Sequence, residues 1–249
     1  HLVVIADEMA RADAPLARMF TISLIHMPGT LLPHGTEAQK RRYMSGVANG
    51  EVWCQGFSEP NSGSDLASLR CRAVRDGDDF VINGQKIWTS GANHSDWCFA
   101  LVRTDPNAKK QKGISYLLID MKSPGISIRP VHTLGGHRVN EIFFDQVMVP
   151  VANRIGEENR GWSYAKYLLG NERVGIARTG LSKARVALAK EKAKAVLIDG
   201  RTLADDERFR EKLALIEVEL KALEITNMMV VAQMNKAETP RQDPRASVL

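Results

Sequence analysis

The chain has 249 residues, 44% of them hydrophobic and 25% charged, with 34 Lys and Arg against 29 Asp and Glu. That length supports a sizeable core and more than one structural unit, and no apolar run approaches the roughly 18–20 residues of a membrane-spanning helix, which excludes a membrane protein of that kind. The net charge of +5 comes from bases interleaved with acids, without a basic arm or an aromatic-rich basic stripe, so nucleic acid is excluded as the expected partner and polyphosphate ligands fit equally well.

Residues 2–27, rich in Ala, Met, Leu and Arg, read as helix, with Pro28-Gly29 breaking the pattern. The opening Leu2-Val3-Val4-Ile5-Ala6 is too short for a signal peptide and lacks a basic flank. Thr36 and Gln39 form a capping box ahead of Lys40-Arg41-Arg42-Tyr43-Met44, which predicts a helix starting at Thr36 and ended by Asn49-Gly50. From Glu51 to Pro150 strands and turns take over. Asp79–Ile82, Asn83-Gly84 and Gln85–Trp88 read as a hairpin, since Asn-Gly readily adopts the positive φ of a type I′ turn. Further strands are expected at 97–102, 114–119, 126–131 and 141–149. Residues 162–198 read as one long helix closed by Asp199-Gly200. A second helix covers 205–236, with Leu213, Ile216, Leu220 and Leu223 on one stripe.

The expected organisation is therefore α+β and multidomain, with a helical part over 1–50, a central β-barrel or sandwich domain over 51–150, and a helical-bundle part over 151–249. The chain begins with His and stops at Leu249 inside helical sequence, so it reads as a piece of a longer protein. No Gly-x-Gly-x-x-Gly follows a strand, which disfavours a Rossmann site. Cys54, Cys71 and Cys98 are odd in number and lack zinc-ligand spacing, so no metal and no disulfide framework is expected and a reducing cytoplasm fits. His94, His132 and His137 sit in turns without ligand spacing.

Two segments carry the chemistry. Gln55-Gly56-Phe57-Ser58-Glu59-Pro60-Asn61-Ser62-Gly63-Ser64-Asp65 packs hydroxyls and two glycines into one loop, which lets backbone N–H groups approach a phosphate or a flat ring. Lys86-Ile87-Trp88-Thr89-Ser90 places an indole and two hydroxyls at a strand end. Singly, each residue is more ordinarily a turn or core residue. Together, and with Gly35–Lys40 before them and Phe144–Pro150 after them, they closely resemble the acyl-CoA dehydrogenase family over most of the chain.

The resemblance implies FAD as cofactor and an acyl-CoA thioester as substrate, oxidised to the trans-2-enoyl-CoA by α-proton abstraction and β-hydride transfer to flavin N5. It implies cofactor contacts from Gln55, Phe57, Ser58, Gly63, Ser64, Trp88, Thr89 and Ser90. Phe57 and Ser58 would lie against the flavin pyrimidine, Trp88 would cover one flavin face, and Ser90 would donate toward N5. Ser64 would meet either flavin or acyl-CoA near the pyrophosphates. Asp65 and Glu59 read as anchors of the loop. In a minority of the family the base precedes an Arg on the helix after the β-domain, and Asn171-Glu172-Arg173 stands there. Glu172 is thus the expected base and Arg173 the expected substrate contact, although an acid that commonly precedes this site is Gly170 here. The runs Lys166–Arg173 and Thr179–Lys183 look most like bacterial pimeloyl-CoA dehydrogenase large subunits. That likeness implies a heteromer with a small subunit, a homo-oligomer being the other arrangement, and an acyl chain ending in a carboxylate; the family resemblance implies electron-transfer flavoprotein as acceptor. A non-catalytic partner subunit and a flavin oxidase or monooxygenase of the same fold are the competing readings.

Overall fold

The computed structural model describes Glu8, Met9, Ala12, Ala14 and residues 21–236, with backbone alone at 171–176 and 234–236. Most of the helix expected over 2–27 falls outside the described residues. The chain divides into two compact units, Ala17–Leu168 and Leu169–Leu249 with His1–Leu16.

The first unit opens with a π-helical turn, Ile22–His26, that runs into α1 (Met27–His34). Pro28-Gly29 therefore does not break the helix, as the sequence reading had it. The Met27 N–H bonds the Ile22 carbonyl five residues back, and this wider turn accommodates the proline, which has no N–H and crowds the preceding turn. The break comes at Gly35. Helix α2 (Glu37–Ala48) then starts from the expected capping box, with Thr36 Oγ1 accepting from the Gln39 N–H and Gln39 Oε1 accepting from the Thr36 N–H. Gln39 Nε2 also donates to the carbonyls of Ala152 and Arg154, at 2.7 and 2.8 Å, so the cap ties this helix to the far end of the sheet.

Eight strands form one connected sheet: β1 (Trp53–Gly56), β2 (Arg72–Asp76), β3 (Asp79–Ser90), β4 (Trp97–Arg103), β5 (Ile114–Asp120), β6 (Ile126–His132), β7 (Arg138–Pro150) and β8 (Arg154–Ile155). Their order is β6-β7-β3-β2-β4-β5-β8, with β1 parallel to β4. Phe80 and Ile82 of β3, Ile142 and Val147 of β7, Cys98 and Ala100 of β4, and Leu117 and Ile119 of β5 share one core cluster. The two halves of the sheet thus fold onto each other as a sandwich. Strands β4 and β5 are apolar at nearly every position because both faces are covered. On the other face Trp53 stacks on Trp97 at 5.6 Å, and Tyr43 of α2 meets both edge-on.

The Asn83-Gly84 hairpin is overturned. Strand β3 runs straight through it, and the hairpin turn lies at Gly77-Asp78, since Asp76 pairs with Asp79. Asn83 instead lies opposite two residues of β7, Asp145 and Gln146, where the register shifts between Ile82 and Gly84, so the bulge is on β7 and Gln146 takes a φ of 52° there. Asn83 Oδ1 accepts there from the Gln146 N–H and from Gln146 Nε2, both at 2.9 Å. The extra residue bends β7, and Gly84 facing it permits close backbone approach to Cys71.

After the sheet, α3 (Gly161–Ile176) and α4 (Thr179–Ala195) replace the single helix expected over 162–198. The interruption is Arg178, whose φ of 45° is left-handed. In the second unit Asp199-Gly200 is a hairpin turn rather than a helix stop. It joins β9 (Leu197–Ile198) to β10 (Arg201–Thr202), and both turn residues have positive φ. Helix α5 (Glu207–Lys236) follows, and Lys183 and Lys190 of α4 pair with its Glu224 and Glu217. Leu213, Leu220 and Leu223 are half-buried as expected, whereas Ile216 remains 50% exposed.

Candidate functional site

Strand β3 ends in a second irregularity. Its register against β7 shifts again between Lys86 and Thr89, and Trp88 takes a φ of 61°. A bulky residue in the left-handed region is a genuine outlier, costing about 1–3 kcal/mol, and such strain concentrates at functional sites. The consequence is visible in burial. Trp88 is 58% exposed, the most exposed of the large residues on this strand, while Thr89 is buried and Ser90 is exposed.

Asn140, buried on β7, holds this bulge. Its Nδ2 donates to the Thr89 carbonyl at 2.9 Å. The Thr89 Oγ1 and Asn140 Oδ1 atoms are buried without a hydrogen-bond partner among the described residues. Buried hydroxyls and amides are ordinarily satisfied, and each orphan costs about 1–3 kcal/mol. Two orphans beside an outward-presented indole suit a site completed by a polar, flat ligand.

The loop after β1 lies against the same strand. The Ser58 carbonyl accepts from the Ile87 N–H at 2.9 Å, and the Phe57 carbonyl accepts from Lys86 Nζ at 3.1 Å. Lys86 is fully buried and pairs with Glu59 at 2.7 Å. Glu59 also accepts from the backbone N–H groups of Arg70 and Cys71. Glu59 and Ser62 exchange backbone bonds, which closes the tip of the loop. Beyond it, the Arg103 guanidinium donates to the carbonyls of Ala67, Leu69, Lys110 and Lys112, and Asp65 pairs with Lys110. That pairing holds the exposed Asp65 carboxyl below its ordinary range.

The remaining expected residues are placed as follows. The Phe57 ring is buried edge-on against Phe99 and Tyr116, so it belongs to the core and offers only its backbone to a ligand. Gln55 sits on β1, where its Oε1 accepts from His26 Nδ1 at 3.0 Å. Gly63 and Ser64 are exposed, and a side chain at Gly63 would meet nothing. Gln55, Phe57, Ser58, Trp88, Thr89 and Ser90 are thus gathered at neighbouring positions of β1, its following loop and β3. Glu172 and Arg173 lie on α3, and their side chains are outside the described residues. Among the described residues no cluster of His, Cys, Asp or Glu could hold a metal ion.

Sequence reasoning passed over Lys86 and Asn140 as site residues. For Lys86 a signal existed: it continues the inward-facing parity of Phe80 and Ile82, a position where a lysine needs a buried partner. Asn140 carried none, since only the pairing of β7 with β3 brings it under Thr89.

Three family models match in succession: acyl-CoA dehydrogenase N-terminal domain over residues 1–51, middle domain over 54–147 and C-terminal domain over 159–249. The chain is 38% identical over 253 aligned residues to acyl-CoA dehydrogenase IpdE1 of Mycobacterium tuberculosis, covering 100% of this chain and 64% of that protein. It matches the solved structure titled Tcur3481-Tcur3483 steroid ACAD with a TM-score of 0.84 at 37% identity, covering 95% of this chain and 60% of that one. The ChsE4-ChsE5 complex of Mycobacterium tuberculosis matches with a TM-score of 0.84 at 36% identity, covering 95% and 61%. The chain therefore spans less than two thirds of the length of these relatives. The three domain models follow one another along the chain, and the chain belongs to the acyl-CoA dehydrogenase family, whose members use FAD.

Proposed function

We propose that the full protein oxidises an acyl-CoA thioester to the trans-2-enoyl-CoA with FAD. The observation that carries this reading is Trp88, held on a strained bulge with its indole exposed beside the loop fixed by Lys86. A flat apolar wall, adjacent hydroxyls and exposed backbone donors are what a ring accepting electrons requires. Trp88 would cover one face of the flavin. Ser58, Thr89 and Ser90 would supply hydrogen bonds to it, and Gln55 and Gly63 would border it. Ser64 would serve either the cofactor or the acyl-CoA near the pyrophosphates. When bound, FAD supplies the acceptor for the β-hydride. Glu172 takes the α-proton on its carboxylate, and Arg173 lines the acyl-CoA site. A carboxylate acting this way needs a dry setting that raises its proton affinity toward the working pH.

The division at 1–50, 51–150 and 151–249 is the proposed domain organisation. Both solved structures cited above have titles naming two different gene products, which favours a heteromeric arrangement for this chain over a homo-oligomer. Similarity to the steroid ACAD makes a polycyclic acyl-CoA the first substrate to test, with pimeloyl-CoA as the acyl chain ending in a carboxylate. Electrons would pass on to electron-transfer flavoprotein, and three free, buried cysteines suit a reducing cytoplasm.

The test is the visible flavin spectrum of the full-length protein, with any partner subunit, before and after anaerobic addition of an acyl-CoA panel. Bleaching by one member is the expected result. Glu172→Gln is expected to lower turnover by about 10²–10⁴-fold while FAD remains bound. Unchanged turnover of the assembled complex in that variant would favour the non-catalytic-subunit reading, and substrate-dependent peroxide would favour an oxidase.

A further inference from the structure

The ion pair of Lys86 and Glu59 is not used by the chemistry above. Its two partners lie 27 residues apart and are almost wholly excluded from solvent, with side-chain exposures of 0% and 8%. Taking two charges out of water is costly, and apolar residues in such a place are often as stable or more so. The details of its bonding separate two tasks. Glu59 accepts at both oxygens, from the backbone N–H of Arg70 at 2.6 Å and of Cys71 at 2.9 Å, which secures the start of β2. Lys86 donates to Glu59 and, separately, to the carbonyl of Phe57.

That second bond fixes the plane of the Phe57–Ser58 peptide. In a trans peptide the N–H is directed opposite to the carbonyl. Drawing the Phe57 carbonyl inward toward the buried ammonium therefore turns the Ser58 N–H outward. That N–H has no acceptor among the described residues, whereas the Ser58 carbonyl is engaged by Ile87. One residue beyond Ile87 is Trp88, so the outward donor and the exposed indole are held by adjacent positions of the same strand.

We infer that Lys86 is a positioning residue: its bond to the Phe57 carbonyl aims the Ser58 N–H at an acceptor on the isoalloxazine ring, while Glu59 neutralises it and stabilises the fold. This rests on the FAD reading above. It separates what the two members of one ion pair do, because removing Glu59 leaves the bond from Lys86 to Phe57 standing.

The experiment uses the full-length protein, with its partner subunit where one co-purifies, and compares Lys86→Met with Glu59→Gln. Three quantities are measured: thermal stability without FAD, the FAD dissociation constant, and the visible spectrum of bound flavin. Both variants should lower stability. Lys86→Met should weaken FAD about tenfold and alter the flavin spectrum, a fold-change in keeping with one buried hydrogen bond. Glu59→Gln should keep FAD affinity within about threefold and retain the wild-type spectrum. Parallel losses of stability and affinity in both variants would overturn the inference, as would an unchanged affinity and spectrum in Lys86→Met. Should Lys86→Met not accumulate as folded protein, the Glu59→Gln spectrum decides: a wild-type spectrum at lowered stability supports the inference, and an altered one overturns it. Wild-type protein that takes up no FAD would instead overturn the parent reading and this inference with it.

Discussion

Replacing Gly84 by Ala tests the reassignment of Asn83-Gly84 from turn to strand interior. Gly84 has a φ of 148°, and a Cβ there would meet the Cys71 Cα at 2.7 Å, its Sγ at 2.9 Å and its Cβ at 3.0 Å. The nearest of these atoms is backbone, so no rotamer change relieves it. Cys71 cannot shift freely either, because its N–H donates to Glu59 Oε1 at 2.9 Å and its carbonyl accepts from the Arg103 N–H at 2.7 Å. Overpacking of this kind costs about 1–3 kcal/mol, and the unfavourable φ adds about 1–3 kcal/mol more. The stiffer unfolded chain offsets roughly 0.5–1 kcal/mol. A net loss of about 3–4 kcal/mol is expected. Gly77→Ala is the control. Its φ of 59° lies in the ordinary left-handed region and nothing stands within 4 Å, so only about 1–2 kcal/mol of backbone cost applies. The assay is urea unfolding of the FAD-free protein followed by Trp fluorescence. Equal losses for the two variants would refute the claim that close approach to Cys71 requires glycine at position 84.

Two further outcomes are expected. Burial pushes the Tyr43 hydroxyl up to about 12, and it donates to Asn153 Oδ1 at 2.9 Å. Because the folded state holds this proton more tightly, its contribution is fully present below pH 10 and is lost as pH rises from 10 to 12. The slope is about 1.4 kcal/mol per pH unit across that window, and Tyr43→Phe should flatten it; an unchanged pH dependence of the urea midpoint would refute this. Tyr116 is raised also and would leave a residual slope in that variant. Arg103→Met removes the guanidinium that joins the carbonyls of Ala67 and Leu69 to those of Lys110 and Lys112. A loss of about 2–3 kcal/mol is expected, with faster hydrogen exchange confined first to residues 65–69 and 109–112, and global unfolding without local loosening would contradict it.

The elements legible in the sequence were those whose signal is local. The capping box of Thr36 and Gln39 satisfies its own helix end, so it works wherever the helix sits. Strands β4 and β5 are continuous apolar runs bounded by turn residues, and α5 has a stripe of helical period. The loop from Gln55 to Asp65 and the Trp88 strand end were legible as a site through their joint resemblance to one family. The break at Arg178 inside the helix expected over 162–198 carried no local signal, whereas three other misread elements share one cause. Pro28, Asn83-Gly84 and Asp199-Gly200 are punctuation residues, and each such residue permits more than one outcome.

What the sequence by itself determined is the order of helical, strand and helical segments, the loop and strand end that carry the chemistry, and the family to which they belong. Tertiary structure alone decided which outcome each punctuation residue takes, because a π-helical turn absorbs Pro28 and pairing with β7 keeps Asn83-Gly84 inside β3. It alone moved the Phe57 ring into the core, by closing Phe99 and Tyr116 around it. It alone joined Lys86 to Glu59 and Asn140 to Thr89, since those partners are 27 and 51 residues apart in the chain. Local pattern fixes what a segment is able to form, whereas the satisfaction of buried polar groups depends on neighbours that only the folded sheet supplies.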